Sequence, residues 1–106
     1  MSQFDDRERA YETKFAHDAE LRFKAEARRN RLLGEWAGEK LGKTGDDLAA
    51  YAKEVVRADF EEAGDEDVYR KVAADLGDRS SEQEIRAKMS ELKMTAADQI
   101  QAEQKP

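Results

Sequence analysis

Residues 4–41 read FDDRERAYETKFAHDAELRFKAEARRNRLLGEWAGEKL, a stretch without proline that reaches its first glycine only at Gly34. Apolar residues recur along it at spacings of three and four, which is the period of one helix face. A helix from Asp5 to Leu41 would be about 55 Å long, because each residue adds about 1.5 Å. A domain of about 100 residues has a radius of gyration of only about 13 Å. The sequence therefore predicts that part of this helix projects from the protein.

Composition limits the classes of protein that the chain can represent. Charged residues make up 42% of its 106 residues, against about 25% in ordinary globular domains. This length allows one small domain with a modest core. The absence of cysteine excludes a disulfide scaffold, a thiol nucleophile and thiolate metal ligands. No apolar run approaches the roughly 20 residues of a membrane span, and no signal-peptide pattern is visible. We therefore expect a cytoplasmic protein without direct membrane insertion.

Three further amphipathic stripes follow the long helix, and nothing in the sequence indicates a strand. The second stripe is expected to cover about 18 residues and to end at a C-capping Gly64. Asp65 is expected to cap the third helix, which ends at Gly77, and Ser81 forms a capping box with Glu84 ahead of the fourth. The apolar positions are Tyr11, Phe15, Ala19, Phe23, Ala27, Leu32, Leu33, Trp36 and Leu41, then Leu48, Tyr51, Ala52, Val55, Val56, Phe60 and Ala63, then Val68, Tyr69, Val72 and Leu76, and finally Ile85, Met89, Leu92, Ala96 and Ile100.

Short connections make neighbouring helices antiparallel, so the predicted fold class is all-α and the economical architecture is a four-helix bundle. The second and fourth helices, at about 27–30 Å, can cover the first helix only over about residues 19–41. The prediction is a bundle over residues 19–103 with a long first helix. An extending, poorly ordered N-terminal arm is expected over residues 1–18 and a disordered tail over residues 104–106. The polar residues from Gln101 onward are expected to fray.

The arm carries Phe4, Tyr11 and Phe15 at spacings of seven and four, the anchor pattern of a helix that docks in a groove. Burying three aromatic side chains contributes roughly 5–9 kcal/mol. Ordering 18 residues costs about 1–2 kcal/mol each for the backbone alone. We therefore expect the arm to fold into a helix on a target, while a simple frayed helix end remains the alternative interpretation.

Charge is distributed unevenly along the chain, whose net charge is -6. Residues 22–31 contain five basic side chains and one acidic side chain, whereas six of the nine residues in 59–67 are acidic. The simplest interpretation is that both are solvated faces or that they pair across the bundle, where each surface pair contributes about 0–1 kcal/mol. A nucleic-acid binder using the basic stretch is a rival hypothesis. Net acidity and the lack of interleaved aromatic residues argue against nucleic acid as a partner.

Catalytic and metal sites have little support in the sequence. Carboxylates are abundant, but they occupy exposed helical positions with no apolar pocket that would shift a pKa. One histidine without cysteines cannot form a convincing zinc site, and the acidic run lacks the spacing of an EF-hand loop. We expect no enzymatic activity, no catalytic residue and no metal site.

Seven segments of the chain carry a family resemblance, because charged, solvent-facing residues in them agree with a known pattern that shared helicity would not require. They are FDDRE at 4–8, KFAHDAE at 14–20, FK at 23–24, ARRNRLLG at 27–34, WA at 36–37, YAKEVV at 51–56 and ADFEEAGDEDV at 58–68. These segments resemble the zeta subunits of alpha-proteobacterial F-type ATP synthases, and the resemblance covers nearly the whole chain.

The resemblance implies a four-helix bundle that inhibits ATP hydrolysis by the catalytic head of the synthase, with the alpha, beta and gamma subunits as partners. An N-terminal helix would insert between the catalytic subunits and the rotor stalk. Such an inhibitor needs no chemistry, because it only has to bind one conformation of the head better than those that follow. We expect a monomer when free, at the cytoplasmic face of the inner membrane when bound. The inhibitory residues that the resemblance implies are Phe4, Asp5, Asp6, Arg7, Glu8, Lys14, Phe15 and Asp18, with Tyr11 as the local aromatic.

The family is also said to bind ADP or ATP, so the resemblance adds a nucleotide as a candidate regulator, with no cofactor required. Residues 38–44, GEKLGKT, are not a phosphate loop, because only three residues separate the glycines where that motif needs four. A weaker phosphate contact is hypothesised at Arg28, Arg29 and Lys43, with Trp36 stacking on the base; otherwise Trp36 belongs to the core. The alternative function is a self-associating helical interaction module without ATPase regulation.

Overall fold

The computed structural model describes residues 19–59 and 65–104, and these residues form four α-helices and one 3₁₀ turn, with no strand among them. The predicted all-α fold class and the four helices are confirmed, whereas the predicted arm lies outside the described residues. The elements are α1 (Ala19–Lys40), α2 (Gly45–Ala58), α3 (Glu66–Leu76), the 3₁₀ turn (Gly77–Arg79) and α4 (Glu82–Gln104).

The central helix is α1, which runs antiparallel to both α2 and α4. Gly34 faces Ala52, and Gly38 one turn later faces Leu48, so α2 runs back along α1. A Cβ added to Gly34 would lie only 2.6 Å from the Cα of Ala52, which shows how closely these two backbones approach. The glycine therefore allows the α1–α2 contact that any larger residue would push apart.

Salt bridges report the same antiparallel arrangement for α1 and α4. Arg28 near the start of α1 pairs with Glu103 in the last turn of α4, and Lys40 at the end of α1 pairs with Glu84 in the first turn of α4. The four helices thus form the predicted bundle, with the beginning of α1 and the end of α4 together at one end.

The apolar core consists of two clusters of unequal size. The smaller cluster contains three buried residues, Ala25, Ala97 and Ile100, with Leu21 and Met94 packed against it. The larger cluster draws on all four helices and has nine buried members, which are Leu33, Ala37, Tyr51, Val55, Val68, Val72, Leu76, Ile85 and Met89. Most of the hydrophobic stabilisation therefore lies away from the bundle end that carries the start of α1.

The predicted length of α2 was wrong. This helix has 14 residues and ends at Ala58, and Asp59 forms a turn instead of continuing toward Gly64. The N–H of Asp59 donates to the carbonyl of Val56 at 3.3 Å, a contact three residues back that tightens the last turn. Residues 60–64, including the predicted C-cap, lie outside the described residues.

The capping predictions met different outcomes. Ser81 accepts a hydrogen bond from the Glu84 N–H at 3.1 Å, as the capping box requires, but the Glu84 carboxylate contacts Ser80 and Lys40 instead of reaching back. Asp65 occupies the N-cap position of α3 without a side-chain capping bond, because its carboxylate accepts a hydrogen bond from Arg29. The end of α4 was also placed too early, since the helix continues past Gln101 to Gln104.

Candidate protein-binding surface

The residues predicted for the inhibitory arm lie outside the described part of the chain. These residues are Phe4, Asp5, Asp6, Arg7, Glu8, Tyr11, Lys14, Phe15 and Asp18. The structure does describe the bundle end to which residues 1–18 are attached. We call this the arm end, and it comprises residues 19–30 of α1 and residues 96–103 of α4.

Phe23 is the exposed aromatic residue of the arm end, although the second and fourth helices were expected to cover the first helix from about residue 19. Its side chain is 57% exposed. Eleven residues are close to three helical turns, so Phe23 lies on the same face of α1 as Gly34, which packs against α2. Because α2 ends at Ala58, four residues short of its predicted length, it does not extend far enough to bury the ring.

Arg28 joins α1 to the last turns of α4. One guanidinium nitrogen donates to the Gln99 side-chain oxygen at 2.8 Å, and the other donates to the Glu103 carboxylate at 3.0 Å. The guanidinium also lowers the pKa of Glu103 from its ordinary value. Because these contacts engage both ends of the guanidinium, Arg28 ties α1 to the last turns of α4 at the arm end.

Arg29 is buried, with 3% of its surface exposed. Its Nε donates to Asn30 Oδ1 at 2.6 Å, and its Nη2 donates to Asp65 Oδ1 at 2.8 Å. A buried guanidinium needs such partners, since an unpaired charge in the interior is strongly destabilising. Arg29 of the basic stretch therefore pairs across the bundle with Asp65 of the acidic run, which is the second of the two arrangements expected from the sequence, and it ties α1 to the beginning of α3.

The pKa values of the two carboxylates near Arg29, those of Asp65 and Asp59, shift in opposite directions. The hydrogen bond from Arg29 lowers the pKa of Asp65 below its ordinary value, outweighing the effect of partial burial. Burial raises the pKa of Asp59, and the nearby Asn30 amide and Arg29 guanidinium only partly oppose that increase. Asn30 Nδ2 and Asp67 Oδ2 are buried without a hydrogen-bond partner among the residues that the structure describes. This polar cluster lies where the arm end of α1 meets Asp59 and the start of α3.

The four residues suggested for a nucleotide do not converge. Arg28 and Arg29 are occupied by the contacts above, and Lys43 follows the other end of α1, which lies about 17 Å from Arg29 along the helix axis. The Lys43 ammonium sits 5.8 Å from the ring centroid of Tyr51. Trp36 lies between the arginines and Lys43. It is partly buried and packs against the larger core cluster, so its position fits the alternative prediction that Trp36 belongs to the core. Nucleotide binding therefore stays a prediction.

Trp36 is flanked by two lysines on its exposed side. The ammonium of Lys40 lies 5.2 Å and that of Lys88 5.9 Å from its ring centroid. Both lysines also make ion pairs, Lys40 with Glu84 at 3.3 Å and Lys88 with Glu91 at 3.0 Å. These contacts cover the edge of the core where α1 meets α4.

A groove between α1 and α2 brings together residues that the sequence did not single out. Its floor is formed by Ala49, Ala52 and Val56 of α2, and its rim carries Arg31 and Glu35 of α1 with Lys53 and Arg57 of α2. A second depression, lined by Phe23, Ala27 and Ile100, shares Arg31 and Val56 with it. The signal that could have revealed the groove is the spacing of Lys53 and Arg57, four residues apart on a helix whose apolar face continues beside them.

The described residues contain no group of three or more metal-ligating side chains that could hold an ion. Within the same part of the chain, no helix combines the length and the hydropathy needed to cross a bilayer.

The described helices define the class of protein, a small antiparallel four-helix bundle. The particular family follows from the sequence, because the model of the family described as ATPase inhibitor subunit zeta matches residues 1–99. The chain belongs to this family of ATPase inhibitor subunits, which confirms the resemblance noted above. Membership in a family of inhibitor subunits is consistent with the expectation that the chain is not an enzyme.

Comparison with solved structures supports the same fold. A protein whose structure was solved in solution by NMR is 57% identical in sequence and superposes with a TM-score of 0.74. The alignment covers 78% of this chain and 98% of that one. Comparison with curated proteins found no match.

Proposed function

We propose that this protein inhibits ATP hydrolysis by the catalytic head of an F-type ATP synthase, with residues 1–18 as the inhibitory segment. The observation that carries this proposal is the family match, which extends over residues 1–99 and thus includes the segment as well as the bundle. The segment would insert as a helix between the alpha, beta and gamma subunits, with Phe4, Tyr11 and Phe15 as apolar anchors. The protein would act at the cytoplasmic face of the inner membrane.

The architecture of the bundle suits this role. Inhibition of a rotary motor requires a rigid body that holds an inserted helix in place, and α1, which begins in the described part of the chain at Ala19, runs through the middle of the bundle. The close contact at Gly34 and the ion pairs of Arg28 and Arg29 fix α1 against the other three helices. Force on an inserted N-terminal segment would therefore be transmitted to the whole domain rather than to a loop.

The charges of the segment favour orientation more than affinity. Asp5, Asp6 and Glu8 alternate with Arg7, so the segment presents both signs within one helical turn. Charged residues at an interface guide register and the rate of association, whereas buried aromatic anchors supply most of the binding energy. Replacement of the three aromatic residues should therefore reduce inhibition more than replacement of these charges.

The test is ATP hydrolysis by the detached catalytic head of the cognate synthase, with the full chain or a chain of residues 19–106 added. Inhibition by the full chain that is lost in the shorter chain supports the proposal. Circular dichroism of both chains controls for loss of the fold. Equal inhibition by both would place the inhibitory contact on the bundle. No inhibition by either, together with a concentration-dependent dimer, would favour the self-associating module instead.

A further inference from the structure

We propose that the groove between α1 and α2 is a second docking surface, and that its occupant is an acidic amphipathic helix on the catalytic head. This inference rests on the proposed function and extends it, since it assigns a binding role to the bundle as well as to residues 1–18. The surface, which we call the α1–α2 groove, comprises the two connected depressions described above.

The charge of the α1–α2 groove is opposite to that of the whole protein. Its lining residues include five basic side chains and two acidic ones, a net charge of +3, while the whole chain has a net charge of -6. Segregation of positive charge on one face of an acidic protein raises the rate of association with a negatively charged surface. The charged residues of the groove are Lys24, Arg28, Arg31, Glu35, Lys53, Arg57 and Glu103.

Three of these cations make no ion pair with any residue that the structure describes. Arg31, Lys53 and Arg57 lie farther than 4.0 Å from every carboxylate in the part of the chain that the structure describes, and all three are exposed. Other basic residues of the bundle, such as Lys71 and Arg86, each contact two carboxylates. Cations without an internal partner can pair with carboxylates of a partner without breaking an existing contact.

The groove also offers an apolar floor of suitable length. Phe23 is exposed at one end, and Ala27, Ala49 and Val56, none of which is buried, continue the apolar surface along the helices. The distance from Phe23 to Glu35 along α1 is about 18 Å, which is the length of about three turns of a partner helix. An apolar stripe flanked by cations fits an amphipathic helix with acidic residues beside its apolar face. The floor distinguishes this occupant from nucleic acid, which would need stacking platforms.

Continuity with the inhibitory segment favours the catalytic head as the source of that helix. Phe23 lies one turn after Ala19, where the described part of α1 begins, so a head that binds residues 1–18 would also face the groove. Two linked contacts increase the overall affinity, because the second forms at a high effective concentration once the first is made.

The test compares inhibition of ATP hydrolysis by three full-length proteins at low and high salt. In the groove variant, Arg31→Gln, Lys53→Gln and Arg57→Gln remove the three unpaired cations. The matched control carries Arg70→Gln, Arg79→Gln and Lys88→Gln, which remove the same charge from α3, the 3₁₀ turn and α4. We expect the groove variant to need at least about tenfold more protein for half inhibition, while the control stays within about twofold of wild type. Added salt should weaken the wild type more than the groove variant.

The other outcomes separate the two proposals. If the wild type inhibits and the groove variant inhibits equally well, the docking surface is overturned while the proposed function stands. If the groove variant inhibits better than the wild type, the groove holds residues 1–18 of its own chain. If the wild type forms a dimer that the groove variant does not form, a second copy is the occupant. If the wild type does not inhibit, the proposed function fails, and the docking surface fails with it.

Discussion

The two ends of the bundle are stabilised by different forces. Away from the arm end, nine buried apolar residues from four helices form the larger core cluster. At the arm end, the apolar cluster has only three buried members, and the adjoining layer is held by the ion pairs of Arg28 and Arg29. Hydrophobic burial is the dominant source of folding stability, whereas ion pairs contribute less and vary with pH and salt. The difference suggests that one end of this protein maintains the fold and that the other is adapted for binding.

The largest effect should come from the larger core cluster. Leu76→Ala removes a fully buried side chain that packs among residues of several helices, so we expect a loss of about 2–5 kcal/mol in the free energy of unfolding. Ile100→Ala is the matched change in the smaller cluster, beside an open depression near the end of α4. The free energy of unfolding should fall less for Ile100→Ala, because neighbouring side chains can move into the space that the variant leaves. Urea denaturation of both variants tests the comparison, which equal losses would contradict.

The contact between α1 and α2 should tolerate almost no added volume. Gly34→Ala places a methyl group against the backbone of Ala52, and we expect a loss of about 1–3 kcal/mol despite the higher helix propensity of alanine. Gly38→Ala provides a control, because its new methyl group would meet the end of the Leu48 side chain, which can rotate away. Thermal unfolding should show a lower melting temperature for Gly34→Ala than for Gly38→Ala. The reverse order would show that the two helices approach each other differently.

Near the arm end, Asp65→Asn should destabilise the fold in a pH-dependent way. The variant leaves the buried Arg29 guanidinium without its carboxylate, but Asp65 is half exposed, so screening by solvent limits the expected loss to about 1–2 kcal/mol at neutral pH. Because Arg29 lowers the pKa of Asp65, this stabilisation is present above the ordinary value of 3.8 and disappears as the pH falls through the lowered value. The stabilities of wild type and variant should therefore converge in acid. A constant difference from pH 7 to pH 2 would contradict the role of this ion pair.

The smallest expected effect is an increase in stability, on replacement of Asp59. Asp59 follows the last residue of α2, where a negative charge is unfavourable by about 0.3–1 kcal/mol, and burial raises its pKa. Its raised pKa costs stability as the pH rises through 3.8 and beyond, so Asp59→Asn should stabilise the protein slightly at pH 7 and have less effect at pH 3. Chemical denaturation at both pH values measures this change. A destabilised variant at pH 7 would show that contacts of the carboxylate with Arg29 and Asn30 outweigh its burial.

The sequence predicted the helices away from the arm end more accurately than those near it. The stripe of α3, with Val68, Val72 and Leu76, and its end at Gly77 are confirmed, because a regular apolar period and a glycine carry that information locally. The end of α2 was predicted wrongly because its apolar period continues in the sequence through Phe60, whereas the helix ends at Ala58.

The candidate binding surface was harder to predict than the fold. The sequence left open whether Arg29 was solvated or paired with the acidic run, because charge alone does not reveal the partner, and Asp65 lies 36 positions away in the sequence. The groove was missed for a similar reason, since Arg31 and Arg57 become neighbours only when α1 and α2 pack against each other. The period of apolar residues along one helix does not reveal which residues of two helices become neighbours. The family resemblance, in contrast, could be recognised from residues that are close together in the chain.

The most direct test of the account is amide hydrogen exchange in the full chain, measured free and bound to the catalytic head. We expect the amides of residues 1–30, and those of α2 around Lys53 to Arg57, to exchange more slowly in the complex. We expect little change in α3, in the 3₁₀ turn and at the start of α4, which belong to the end that maintains the fold. Slower exchange only in α3, the 3₁₀ turn and the start of α4 would contradict the conclusion that the arm end binds the catalytic head while the other end maintains the fold.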